Sequence, residues 1–145
     1  MTATGLSHDN HSHPDIHHAP PDQPSTWSAA LAFDQAQIRP ASAELLTVAG
    51  QGPVDESGQL LHEGDICAQL SLTMANIETV LAAAAMTWAD VFRLNIYTTD
   101  VDGTLAAYDA VVERLGGATP PATLLGVSRL AIPGMAVEIE VTAGH

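Results

Sequence analysis

The chain has 145 residues, 46% of them apolar, and carries four arginines, no lysine and 17 acids for a formal charge of −13. That length and apolar share suit one domain with its own core, while the charge repels a phosphate backbone or an anionic membrane surface and argues against nucleic acid or membrane as a partner. The absence of lysine excludes a Schiff-base side chain and a Walker A motif, and the lone Cys67 excludes an intramolecular disulfide.

Residues 1–25, MTATGLSHDNHSHPDIHHAPPDQPS, are rich in His, Pro, Asp and Ser without apolar periodicity. Such a segment cannot offset its ordering entropy by burial, so a disordered tail is expected here and a folded domain over 26–145. His8, His11, His13, His17 and His18 are imidazoles able to take Zn, Ni or Cu, but no rigid scaffold fixes a geometry and no metal site is assigned. The tail has neither a basic n-region nor an apolar h-region, and no apolar run reaches the ~20 residues of a membrane span, so a cytoplasmic location is expected.

Glu44 to Gln51, ELLTVAGQ, is a short apolar run ending near Gly50, consistent with a strand whose last residues bring backbone close to something. GPVDESGQ then turns the chain. Asp65 is a good N-cap, and Ile66, Leu70, Met74, Ile77, Leu81 and Ala85 recur every three to four residues as one apolar stripe of a first helix. VFRLNIYTTD alternates Phe92, Leu94 and Ile96 against Arg93, Asn95 and Tyr97, the period of a strand with one face on the core. A second helix is predicted with Leu105, Tyr108, Val112 and Leu115 inward and Gly116–Gly117 as its stop. Strands TLLGVSRL and MAVEIEV follow, separated by a turn at Pro133–Gly134.

This order predicts an α+β fold, a mixed sheet of four to six strands with two helices packed on one face. In TLLGVSRL apolar residues fall on both parities, so the helix-free face is also partly apolar, which points to a homo-oligomer packed through that face. Cys67 reads as a small apolar filler, Trp27 and Trp88 as packing anchors, and His62 as a surface turn residue.

DICAQ at Asp65 to Gln69, YTTD at Tyr97 to Asp100, PPAT at Pro120 to Thr123 and the closing VEIE, taken in order over about Ala32 to Thr142, resemble the Rid/YjgF family, the reactive intermediate deaminases also labelled endoribonuclease L-PSP. The resemblance implies a chorismate-mutase-like fold, a homotrimer with clefts between subunits, and hydrolysis of enamine or imine intermediates such as 2-aminoacrylate without metal or organic cofactor. It also implies three site functions: an arginine in a P-A-R turn that clamps the substrate carboxylate, backbone near a strand-end glycine that orients substrate, and a glutamate that holds the attacking water. Gly50 matches the glycine and Glu138 the glutamate, whereas Glu140 is left as an inter-subunit or solvent contact.

Three positions depart from the pattern. Thr123 stands where the clamping arginine belongs, Phe33 in AFDQA where an aromatic hydroxyl is expected, and Tyr108 in place of a helix-two asparagine. A hydroxyl brings neither the charge nor the two-pronged donor set of a guanidinium. Arg129, six residues further along the same run, is the substitute the sequence offers, although close to ~20 Å away if the chain is extended. The expected function is thus a divergent imine or enamine hydrolase, weak or inactive on 2-imino acids. The alternative is a non-catalytic ligand-binding or stabilising trimer, and ribonuclease activity ranks last because no basic stripe exists to hold RNA.

Overall fold

The computed structural model describes residues 26–39 and 41–145, so the expected disordered tail and its histidines lie outside the described residues. In chain order the elements are α1 (Thr26–Ala30), β1 (Leu45–Gln51), α2 (Ile66–Ala83), a 3-10 turn at Trp88–Asp90, β2 (Val91–Thr98), α3 (Val101–Ala106), α4 (Asp109–Leu115), β3 (Ala122–Gly126) and β4 (Val137–Gly144).

The strands form one four-stranded sheet in the order β1-β4-β2-β3. β4 is antiparallel to both β1 and β2, whereas β2 and β3 run parallel. A parallel pair cannot be joined by a hairpin, and α3 with α4 supplies the crossover it requires. The fold is therefore the expected mixed α+β arrangement with the helices on one face.

The apolar stripe of α2 does what its spacing predicts. Leu70, Met74, Ile77 and Leu81 are fully buried against Val137, Ile139 and Val141 of β4 and Leu94 and Ile96 of β2, in one core. The Asp65 side chain accepts from the Ala68 N–H, a cap worth about 1 kcal/mol. With 18 residues α2 has the composition of a short membrane span, yet these residues are its sheet-facing side. Ala85, at the end of the predicted stripe, lies beyond the helix with a φ of 57°.

The second helix departs from its prediction. It is broken at Ala107–Tyr108, where the Tyr108 N–H bonds back only three residues to Leu105, and its inward residues are Thr104, Tyr108, Val111 and Leu115. Leu105 is 46% exposed. Thr104 takes the inner position because its hydroxyl lies 2.7 Å from the Thr98 hydroxyl and also donates to the Asp100 carbonyl. A buried polar group with partners competes successfully with an apolar neighbour one residue away.

Two β-bulges flank β4. Val48 to Gln51 is three steps along β1 against two along β4, which puts an extra residue at Ala49–Gly50. Val91 to Arg93 is two steps along β2 against one along β4, which puts another at Phe92. The second bulge turns Phe92 out of the predicted alternation, so that Val91, not Phe92, joins Leu94 and Ile96 in the core. The strand expected over 123–130 stops at Gly126, and the last strand begins at Val137 rather than Met135.

Two amides on α2, Gln69 buried and Asn76 half-buried, tie the helix to the ends of β1 and β4. Gln69 donates to the carbonyls of His62 and Gly134 and accepts from the Ala136 N–H, at 3.1, 3.0 and 2.8 Å. Asn76 donates to the carbonyls of Gly52 and Val54, each at 2.9 Å. These bonds fix the chain just after Gly50 and just before Glu138.

Candidate site on the helix-free sheet face

Alternation along β4 buries Val137, Ile139, Val141 and Ala143 and turns Glu138, Glu140 and Thr142 to the face without helices. The register sets Glu138 beside Tyr97 and Glu140 beside Asn95 on β2, and Asn95 beside Thr123 on β3. One polar shelf thus crosses the sheet.

The two glutamates have different surroundings. Glu140 Oε1 accepts from the Tyr97 hydroxyl at 2.6 Å and from the Asn95 amide at 3.1 Å. Glu138 receives no hydrogen bond from any described residue. Its side chain instead lies over Gly50: a Cβ added there would come within 2.8 Å of the Glu138 carboxyl carbon and 3.0 Å of its Cγ. The bulge and the missing side chain together open the space this carboxylate occupies. Glu138 is therefore a carboxylate over bare backbone with no donor among the described residues, whereas Glu140 is a fixed acceptor committed to its neighbours.

The hydrogen bond to Glu140 raises the Tyr97 pKa, with desolvation and the Glu140 charge adding to it, Arg93 opposing, and Glu138 adding a smaller share. Burial raises Tyr108 as well. Since the folded value of Tyr97 exceeds the ordinary 10.0, its contribution to stability is complete below that pH and is lost as pH rises through the folded value. These are the chain's two tyrosines, so alkaline titration of the native protein is expected to show less than half the tyrosinate absorbance at pH 10.0. Glu140→Phe should bring one tyrosine down, and an unchanged titration curve in that variant would contradict the assignment.

The structure sets Glu138 over Gly50, a contact the sequence does not reveal, and puts Arg93, Asn95 and Tyr97 on the same face. Thr123 is on the same face, and its hydroxyl accepts from Arg93 Nη2 at 2.7 Å. Tyr108 lies in the hydrophobic core beside the helices, and Phe33 follows α1, its N–H bonded to the Ser28 carbonyl. Arg129 is exposed in the segment between β3 and β4, on a groove of about 390 Å³ with Thr99, Leu130, Ile132 and Met135, away from Thr123. Sequence reasoning passed over Arg93. Its alternation with Leu94 was visible, but its pairing with Thr123 depends on a parallel register that neither strand encodes alone. Among the described residues no three His, Cys, Asp or Glu side chains converge as metal ligands.

Residues 25–145 match the family described as endoribonuclease L-PSP. Protein DfrA of Myxococcus xanthus is 33% identical over 112 residues, 77% of this chain and 83% of that protein. A RutC family protein of Pyrococcus horikoshii is 29% identical over 102 residues, 70% of this chain and 80% of that protein. Among solved structures, the conserved Rid family protein YyfB of Yersinia pestis superposes with a TM-score of 0.74 at 32% identity, covering 81% of this chain and 90% of that one. Rv2704 of Mycobacterium tuberculosis, described as a member of the YjgF/YER057c/UK114 family, does so at 0.60 and 30% identity, covering 83% and 93%.

Proposed function

The chain belongs to the Rid/YjgF family of endoribonuclease L-PSP proteins, and from that premise we propose that it is a divergent imine or enamine hydrolase in which Glu138 holds the attacking water. The observation that carries this reading is the carboxylate of Glu138 lying over the Gly50 backbone with no hydrogen-bond donor to it among the described residues. A water hydrogen-bonded there attacks the carbon of a C=N bond while Glu138 takes one of its protons. Glu138 passes that proton to the nitrogen, and the hydroxyl proton of the tetrahedral adduct follows it as the C–N bond breaks, releasing ammonia and leaving a carbonyl. An enamine enters the same path after tautomerising to its imine. General-base help of this kind contributes about 10²- to 10⁴-fold.

A homotrimer of the chorismate-mutase-like kind completes the proposal. Gly50 is on β1 and Thr123 on β3, opposite edges of the sheet, three strand spacings or about 14 Å apart. A small imine cannot touch both within one chain. A head-to-tail ring, by contrast, sets the β3 side of one copy against the β1 side of the next. Leu125 on β3 and Leu45 on β1, 52% and 69% exposed, supply apolar surface at both edges for such a contact. Light scattering after size exclusion is expected to give three chains per particle, and a monomer at micromolar concentration would remove the shared cleft.

A non-catalytic ligand-binding trimer is the second reading, and Glu140 favours it, because a carboxylate fixed by Tyr97 and Asn95 is a recognition group that no hydrolytic step uses. Ribonuclease activity is disfavoured by the charge of −13 per chain. The test is a steady-state assay of imine decay with enzymatically generated 2-imino acids and with imines lacking a carboxylate. Acceleration of the second group with slow turnover of the first supports the hydrolase, and no acceleration of either supports the binding trimer.

A further inference from the structure

We propose that Gln69, together with Asn76 about two turns further along α2, is a positioning residue for the reaction: through these two amides the helix layer holds Glu138 against Gly50. The proposal deepens the hydrolase reading and rests on it for what Glu138 does, not for how Glu138 is held.

Sheet pairing alone holds this contact poorly. Glu138 is the second residue of β4, and on its β1 side the regular register lapses in the bulge between Val48 and Gln51. Strand ends of this kind open readily. The residue two before Glu138 is nevertheless fixed from two sides. The Ala136 carbonyl accepts from the Thr98 hydroxyl at 2.8 Å and from the Thr99 N–H at 3.0 Å, while the Ala136 N–H donates to Gln69 Oε1. Gln69 Nε2 donates in turn to the carbonyls of His62 and Gly134. Turned over, the amide would set its N–H groups against the Ala136 N–H, so one orientation alone satisfies all three partners.

Asn76 holds the other member of the pair. It donates to the carbonyls of Gly52 and Val54, just beyond Gly50 in the chain. Met135 bridges the two tethered segments, its side chain lying where a Cβ on Gly52 would fall. Gln69 and Asn76 are seven positions apart, about 10 Å of helix, so one rigid element spaces the backbone on either side of the site. Gln69 is fully buried. A buried amide is favourable only with its bonds made, and an apolar side chain would fill the same space without that demand. What the amide adds is the placement of three backbone groups, and the chain that leaves one of them carries Glu138.

The test compares Gln69→Met, which keeps the shape and removes the three bonds, with Leu115→Ala, a core substitution on α4 that lowers the melting temperature without touching either tether. Two readings are taken well below both melting temperatures. In full chain labelled at the glutamate carboxyl carbon, the Glu138 signal, assigned by its loss in Glu138→Gln, is expected to shift or broaden in Gln69→Met and to stay in place in Leu115→Ala. In the imine assay kcat is expected to fall about ten- to a hundredfold in Gln69→Met with KM within about twofold, and to keep its native value in Leu115→Ala. Should Gln69→Met not fold, Asn76→Ala carries the same comparison with an expected three- to tenfold fall in kcat, since it orphans only carbonyls, which tolerate a missing partner better than an N–H does. An unmoved Glu138 signal, equal movement in Leu115→Ala, or a moved signal with native kcat would each overturn the proposal. A signal moved by Gln69→Met alone, in a chain whose native form hydrolyses no imine, would leave the tether intact and remove the hydrolase.

Discussion

Glu138→Gln abolishes imine hydrolysis, while Glu140→Gln leaves the rate within a few-fold of the native protein; this is the expected result of the steady-state assay. An amide at 138 can still sit over Gly50 but cannot take a proton from water, so the loss should fall on kcat and approach the 10²- to 10⁴-fold share of a general base. At 140 the amide oxygen continues to accept from Tyr97 and Asn95, and the shelf keeps its shape. No described donor loses a partner at 138, so Glu138→Gln should fold and assemble normally. Equal sensitivity at both positions would mean that the two carboxylates act as a unit and that the distinction drawn from their surroundings is wrong.

Gly50→Ala is expected to cost on the order of a hundredfold in turnover while changing stability by less than about 1 kcal/mol. The added methyl would fall on the Glu138 side chain, with the carboxyl carbon at 2.8 Å, and the carboxylate has to swing away. Gly50 does not have a left-handed backbone, so alanine brings no strain of its own. Glu138 is the flexible end of a partly exposed side chain, so its displacement is cheap for the fold and damaging for the site. Thermal melting and the hydrolysis assay on the same sample separate the two. Native turnover in Gly50→Ala would mean that Glu138 does not work from this position.

The first helix, the strand holding Leu94 and Ile96, and the alternation that exposes Glu138 were legible because each is a local period imposed by one apolar face. Gly50 and Glu138 were legible through the resemblance, and their contact was not, since it spans residues at opposite ends of the domain. The bulges at Ala49–Gly50 and Phe92 left no local signal, and the second of them misled the assignment of Phe92 to the core. Thr104 takes the inward position in place of Leu105 through partners on Thr98 and Asp100 that a hydrophobic stripe does not anticipate. Arg93 escaped notice for a related reason. Its meaning comes from Thr123, thirty residues later and one strand across.

The strand order β1-β4-β2-β3 carries a consequence for synthesis of the chain. Among the described residues β4 is the last strand in the chain, yet it sits between β1 and β2 and is the only strand that pairs with β1. On the ribosome, β2, its crossover helices and β3 can associate as soon as they emerge, whereas β1 can pack against α2 but finds no strand to pair with among the described residues until 137–144 arrive. Gly50 and Glu138 meet in that same final step. The candidate site therefore has no precursor during translation, and it comes into existence only with the closing of the sheet.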